Sequence, residues 1–192
     1  GQEVLIATGR RANIEGLVDE SLGLKLQRGV CGDEYGRTNI DHIFVVGDVK
    51  AGNIQLAHAA KAQGENIIDL LMNKEPEINT SLIPSGIYTD PEMACVGLSE
   101  ETLKAQNIPY VVKKALTGAN GRCLIENSES GFVKLLISED VIVGASLVSP
   151  HATELISELA LVVEKKMKIE ELKKAVHPHP TVSEMIFDAI DQ

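Results

Sequence analysis

The sequence predicts an α+β domain, an antiparallel sheet with flanking helices, preceded by a partial α/β segment. Before residue 84, short β-branched runs end in Gly and lead to a long helical stripe, which is the strand, turn, helix grammar of α/β folds. After residue 84, strand-sized runs follow one another and the helical patterns gather at the ends, as in α+β domains. The change falls in the polar stretch 74–84, which contains Pro76 and Pro84. It divides the chain into residues 1–80 and 84–192.

Taken in order, residues 4–7 and 43–46 read as strands, followed by Thr8-Gly9 and Gly47-Asp48. Residues 16–38 between them are Gly-rich and polar. A helix is expected over 54–72, where Leu56, Ala60, Gln63, Ile67, Leu70 and Leu71 share one face. Strands follow at 85–89 and 93–96. A helix then opens at Ser99, with Glu100 and Glu101 in its favourable first turn. Strands at 110–116, 132–137 and 141–148 complete the sheet, the last two joined by a connection short enough for a hairpin. An amphipathic helix covers 152–166, with Leu155, Ile156, Leu159, Val162 and Val163 on one face. A short helix at 169–174 leads to His177-Pro178-His179-Pro180, and a final helix starts at Val182.

Composition narrows the function classes. A formal charge of −10 disfavours nucleic acid and anionic membrane surfaces as partners. Apolar runs are strand-sized, so no membrane span is expected, and the N-terminus shows no signal-peptide pattern. Cys31, Cys95 and Cys123 are scattered and form no Cys-x-x-Cys pair. That usage fits a reducing, cytoplasmic setting better than a disulfide framework.

The tail His177-Pro178-His179-Pro180-Thr181-Val182-Ser183-Glu184 is the most informative stretch. Its prolines stiffen the backbone that carries the imidazoles. Glu184 is placed to orient a histidine and raise its basicity. Thr-x-x-Glu at 181–184 is equally a capping box for the last helix, and the bare residues leave both readings open. Taking His177 and His179 as metal ligands finds no third ligand at a recognisable spacing, so no metal site is expected. Upstream, residues 38–48 form an apolar run ending in Gly47-Asp48. This would set a carboxylate at a strand's C-terminal edge, although an ordinary Gly-Asp turn reads the same way. Gln55-Leu56-Ala57-His58 opens a helix whose free N–H groups favour an anion. No Gly-x-Gly-x-x-Gly occurs anywhere, so the chain holds no complete dinucleotide fingerprint.

In this order the stretches resemble the pyridine-nucleotide disulfide oxidoreductases over essentially the whole chain. Ala7-Thr8-Gly9-Arg10-Arg11-Ala12-Asn13 is similar to that family's Gly-Arg-Arg-Pro-Asn segment, with Ala12 in place of the usual Pro. The resemblance implies that Gly9 lies near bound NAD. Residues 38–48 resemble the second flavin motif, which implies that Gly47 and Asp48 meet the ribityl chain of FAD. Leu56-Ala57-His58 resembles the helix start beneath the flavin, although the loop from Asp48 is slightly longer than usual. Tyr88-Thr89-Asp90-Pro91-Glu92 and Val96-Gly97 resemble the start of the family's dimerisation domain.

The tail most resembles the dihydrolipoamide dehydrogenase branch, with Pro178 where a small residue is more usual. That likeness implies that His179, oriented by Glu184, takes a proton from dihydrolipoamide. The thiolate would then attack an enzyme disulfide, and electrons would pass to FAD and on to NAD. It implies a homodimer in which the histidine serves the partner's flavin site. The substrate would be carried on a lipoyl-bearing protein of a 2-oxo acid dehydrogenase or glycine cleavage complex. The chain is therefore expected to be the C-terminal part of such an enzyme and inactive alone. The alternatives are a non-catalytic homodimerisation module of the same family, or a glutathione-reductase-like enzyme.

Overall fold

In the computed structural model, which describes residues 1–128 and 130–192, the chain divides into two units, Gly1–Thr80 and Ser81–Gln192. Strand-length runs in the second unit pair into one antiparallel sheet. Its strands are β1 (Ser85–Ile87), β2 (Glu92–Gly97), β3 (Val111–Leu116), β4 (Phe132–Ser138) and β5 (Val141–Ser149), in the order β1-β2-β5-β4-β3. The β4–β5 hairpin turns on Glu139 and Asp140, with φ of 49° and 65°, the left-handed geometry that matches the twist of a tight hairpin. Gly97 sits opposite Gly144. A Cβ on Gly144 would lie 2.0 Å from the Leu98 carbonyl oxygen, so no other residue fits there.

Alternation along the strands puts Ala94, Val96, Ala115, Val133, Leu135, Ala145 and Leu147 into the core, as a sheet with one covered face requires. Two helices cover that face. One is α4 (Ala152–Glu164), which packs on β1, β2 and β5 through Ile156, Leu159 and Val162. The other is α6 (Glu184–Asp191), which packs on β3 and β4 through Met185, Ile186 and Ala189. The Glu92 carboxylate of β2 accepts the Thr153 N–H at 2.9 Å and the Thr153 hydroxyl at 2.6 Å, fastening the first turn of α4 to the sheet.

Element ends differ from the sequence expectation in ways with local causes. The helix after β2 is α2 (Glu100–Ala105), capped by the Ser99 hydroxyl on the Thr102 N–H. An unexpected short helix, α3 (Gly121–Ile125), forms because the Asn120 side chain caps the Cys123 N–H at 3.0 Å. Next come α4, ending at Glu164 rather than 166, and the short α5 (Ile169–Leu172). The last helix begins at Glu184, two residues after Val182, because Val182 and Ser183 make a turn.

In the first unit the expected strands at 4–7 and 43–46 do not form. Val4, Leu5 and Ile6 are 85%, 91% and 80% exposed, and Phe44 makes only an isolated bridge with Arg37. A buried parallel strand needs neighbours on both edges, and no ladder partner exists for these runs among the described residues. The helix there, α1 (Ala57–Leu71), starts three residues later than expected because Leu56 is extended and serves as its N-cap. Among the described residues, no helix is long and apolar enough to cross a membrane.

Candidate functional site

His179 is presented by the stretch between α5 and α6. Its side chain is 80% exposed, and its Nδ1 lies 2.8 Å from Glu184 Oε1 at the start of α6. The other oxygen of the same carboxylate accepts the Thr181 N–H at 2.8 Å. One carboxylate thus meets both the imidazole and the backbone of the turn before α6. The expected capping box does not form, because α6 begins at Glu184 with Ser183 as its N-cap, and the Thr181 hydroxyl donates to the Pro178 carbonyl at 2.7 Å.

The Thr181 N–H and then the His179 ring hold the Glu184 carboxyl below its ordinary 4.5. Near neutral pH it is an anion and accepts only. His179 Nδ1 is therefore the donor in this pair, and Nε2 has no partner among the described residues. A neutral imidazole fixed at one nitrogen and open at the other is equipped to take a proton from a group presented to it.

Several contacts shape this tail. The Asn120 amide donates to the Thr181 carbonyl at 3.1 Å, and the His179–Pro180 bond is cis. His177 faces away from His179: its Nε2 lies 2.8 Å from Glu158 Oε1, and its ring sits 4.4 Å from that of Phe187. The histidines thus engage different carboxylates. Among the described residues no cluster of three metal donors occurs. A cavity of about 240 Å³ adjoins the tail, lined by Arg122, His151, Leu155, Pro180, Thr181 and Ser183. Arg122 and His151 both engage Glu126, and the carboxyl of Glu126 is lowered first by Arg122. Asn120 and Glu158 escaped the sequence reading. Asn120 had a signal, an Asn-Gly pair ahead of a short apolar run, whereas Glu158 is one of several acids on an ordinary helix face.

The first unit holds the other expected residues. Gly47 is buried, with φ of 68°, and a Cβ there would come 2.9 Å from Ala60 Cβ of α1. Its N–H donates to Gln63 at 2.9 Å and its carbonyl accepts from Asn53 at 2.8 Å, so the turn is fixed against the helix. Asp48 is paired with Arg10 at 2.9 Å, while Gln55 reaches the Asp48 carbonyl at 3.4 Å. Arg10, Asp48, Arg28, Lys50 and Gln55 border a cavity of about 880 Å³. Leu56 caps α1 with no side-chain bond, and no acid stands in its first turn, where Ala57 and His58 lie exposed. Gly9 is exposed, with φ of 83° and open space around it. Cys31, Cys95 and Cys123 are all free thiols.

Comparison with known proteins finds two family matches. Residues 83–190 match the pyridine nucleotide-disulphide oxidoreductase dimerisation domain, and residues 1–64 match the pyridine nucleotide-disulphide oxidoreductase family. A dihydrolipoyl dehydrogenase from Geobacillus stearothermophilus is 34% identical over 98% of the chain, which spans 41% of that relative. Dihydrolipoyl dehydrogenase 3 from Pseudomonas putida is 38% identical over 97% of the chain and 40% of its own length. The chain thus spans about two fifths of the length of these curated relatives. Among solved structures, LpdA from Mycobacterium tuberculosis superposes with a TM-score of 0.85 at 26% identity, over 94% of this chain and 40% of that one. The flavoprotein disulfide reductase RclA from Escherichia coli shares the fold, with a TM-score of 0.85 at 22% identity, over 96% of this chain and 44% of that one.

Proposed function

The chain belongs to the pyridine nucleotide-disulphide oxidoreductases, and we propose that it is the C-terminal part of a dihydrolipoamide dehydrogenase, contributing the acid–base histidine and the dimer-forming domain. The observation that carries this reading is the His179–Glu184 pair, on a tail exposed to whatever docks against it. His179 Nε2 takes the proton from a dihydrolipoamide thiol, and Glu184 stabilises the imidazolium that results. The thiolate so formed is the competent nucleophile for disulfide exchange. The disulfide it attacks would come from the remainder of the whole protein, since the three cysteines here form no pair. On this reading residues 1–80 are the remnant of the NAD- and FAD-binding domains and residues 84–192 the dimerisation domain.

The residues expected at the flavin suit it. The start of α1, without a first-turn acid, turns the positive end of its dipole to an electron-rich edge. Gly47 keeps the Asp48 turn close to that helix, and the Asp48 carboxylate suits sugar-like hydroxyls once Arg10 yields it. FAD, when bound in the whole protein, would supply the electron acceptor, with NAD as the onward carrier. Gly9 would lie beside the nucleotide. The working form would be a homodimer, as the match of residues 83–190 to a dimerisation domain supports, with His179 serving the partner's flavin. Its substrate would be the lipoyl arm of a multienzyme-complex protein.

The test is the assay of the whole protein that carries this sequence. Expected are a yellow, dimeric protein that reduces NAD with dihydrolipoamide, and loss of that activity in His179→Gln. A colourless, dimeric protein whose chain mass under denaturing conditions equals the calculated 20.7 kDa would overturn the catalytic reading in favour of a dimerisation module.

A further inference from the structure

The functional reading leaves His177 without a task, yet it is the one residue of 173–180 that turns inward. Every other residue of that stretch is exposed, while the His177 side chain is 12% exposed. Upstream of His179 the chain is otherwise held by the Lys173–Asp191 pair at 2.9 Å, by the turn bonds of the Lys174 and Ala175 N–H groups, and at Pro178 by the Thr181 hydroxyl. Val176 is 94% exposed, and the N–H groups of Val176, His177 and His179 donate no hydrogen bond among the described residues. What seats the segment is the imidazole. Its Nε2 meets Glu158 Oε1 of α4 at 2.8 Å, and its ring packs on Phe187 of α6 at 4.4 Å with an interplanar angle of 57°.

Pro178 links the two histidines. Its ring fixes its own φ and restricts the residue before it, so the seating of His177 is passed on to His179 through a stiff joint. Downstream, the Asn120 amide on the Thr181 carbonyl and the Thr181 hydroxyl on the Pro178 carbonyl hold the other side. We infer that His177 is the positioning residue of this site: gripped by Glu158 and Phe187, it sets the segment so that the outward imidazole of His179 meets Glu184. The inference rests on the reading of His179 as the base.

Proton exchange is the wrong task for His177 itself. Its Nε2 is committed to a carboxylate, and its Nδ1 is buried with no partner. Neither nitrogen is presented to a substrate. The spacing His-Pro-His thus separates two roles along one strip of backbone, an inner ring that grips and an outer ring that works.

The decisive measurement is an NMR spectrum of the chain with 15N-labelled histidine, which reads the His179 Nδ1–H held by Glu184. His177→Phe keeps a ring against Phe187 and removes the donor. Expected is a broadened or lost His179 Nδ1–H signal with unchanged sheet amides and melting temperature. Glu158→Gln, which keeps an acceptor at the same reach, should retain the native signal. In the flavin-loaded whole protein, His177→Phe should lower kcat about tenfold to a hundredfold, as misplacing a reacting group does, with KM nearly unchanged. An unaltered His179 signal in His177→Phe would overturn the proposal, as would a kcat loss that only follows a fall in melting temperature. If His177→Phe does not fold, Glu158→Ala carries the same test with the ring left in place. A displaced His179 signal, in a protein whose native form does not oxidise dihydrolipoamide, would sink the functional reading and leave the positioning role standing.

Discussion

Glu184 divides its carboxylate between two donors, the His179 ring at 2.8 Å and the Thr181 N–H at 2.8 Å. One side chain thus starts the last helix and orients the imidazole, so substitutions at this position separate the two duties. Glu184→Gln keeps an oxygen for one donor at a time, while Glu184→Ala keeps neither. We predict that both lower the turnover of the whole protein, Ala more than Gln, within the roughly 10²–10⁴-fold range of general acid–base catalysis. A Glu184→Ala enzyme with native turnover would remove the pair from the mechanism.

The same carboxylate gives a pH signature. Its folded value lies below the ordinary 4.5, first through the Thr181 N–H and then through His179. A depressed acid adds stability that is complete above its unfolded value and is lost as pH falls through its folded value. The melting temperatures of the native chain and Glu184→Ala should therefore differ at neutral pH and converge in acid below 4.5. A gap that stays constant down through that range would contradict the assignment.

Asn120 reaches the tail from another element. It is 4% exposed, caps α3 through Cys123, and holds the Thr181 carbonyl. Asn120→Ala removes a cap and leaves buried groups unpaired. It should destabilise the second unit by about 1–2 kcal/mol in urea denaturation and speed hydrogen exchange around Thr181. A change confined to stability, with exchange in the tail unaltered, would mean that only the cap matters.

How much of this was legible follows from where each signal lives. Strand-sized apolar runs located the strands at 132–137 and 141–148, since both runs pack into the core and a short connection joins them. The α4 stripe of Ile156, Leu159 and Val162 was legible because it too packs into the core. The runs at 4–7 and 43–46 misled because β-branched composition reports fitness for a sheet, not the presence of neighbours. At the tail, Glu184 was legible because its partners lie within five residues of it in sequence. Glu158 was not, since it meets His177 across nineteen residues. The Arg10–Asp48 pair, thirty-eight residues apart, escaped for the same reason. Local pattern carries helices, caps and turns; contacts between elements need the fold.

The thiols offer a probe of local opening. Cys95 is exposed on β2, whereas Cys123 is 0% exposed and burial, then Glu126, pushes its thiol above the ordinary 9.0. Thiolate is the reactive form, so a disulfide reagent near neutral pH should modify Cys95 at once and Cys123 only as the second unit opens. Prompt labelling of Cys123 in the native chain would show that the α3–α6 contact, where its sulfur lies 3.7 Å from Met185, is not closed.

Two glycines should respond to alanine in opposite directions. Gly64 lies inside α1 with nothing within 4 Å of a Cβ and no positive φ. Its replacement by Ala exchanges a poor helix former for the best one, worth about 0.5–1 kcal/mol of added stability in the first unit. Gly144 lies where β5 passes the β2 end, and a Cβ there would meet the Leu98 carbonyl oxygen at 2.0 Å and carbon at 3.0 Å. Backbone on both sides leaves no rotamer to relieve the clash, so the strands must separate. Gly144→Ala should therefore cost the second unit at least the roughly 1–3 kcal/mol of an overpacked core, with the loss of protection greatest at Ala145 and Val96, which face each other across the sheet. Separate melting transitions for the two units would read both effects in one experiment, and a stabilising Gly144→Ala would show that β2 and β5 are not held at this distance.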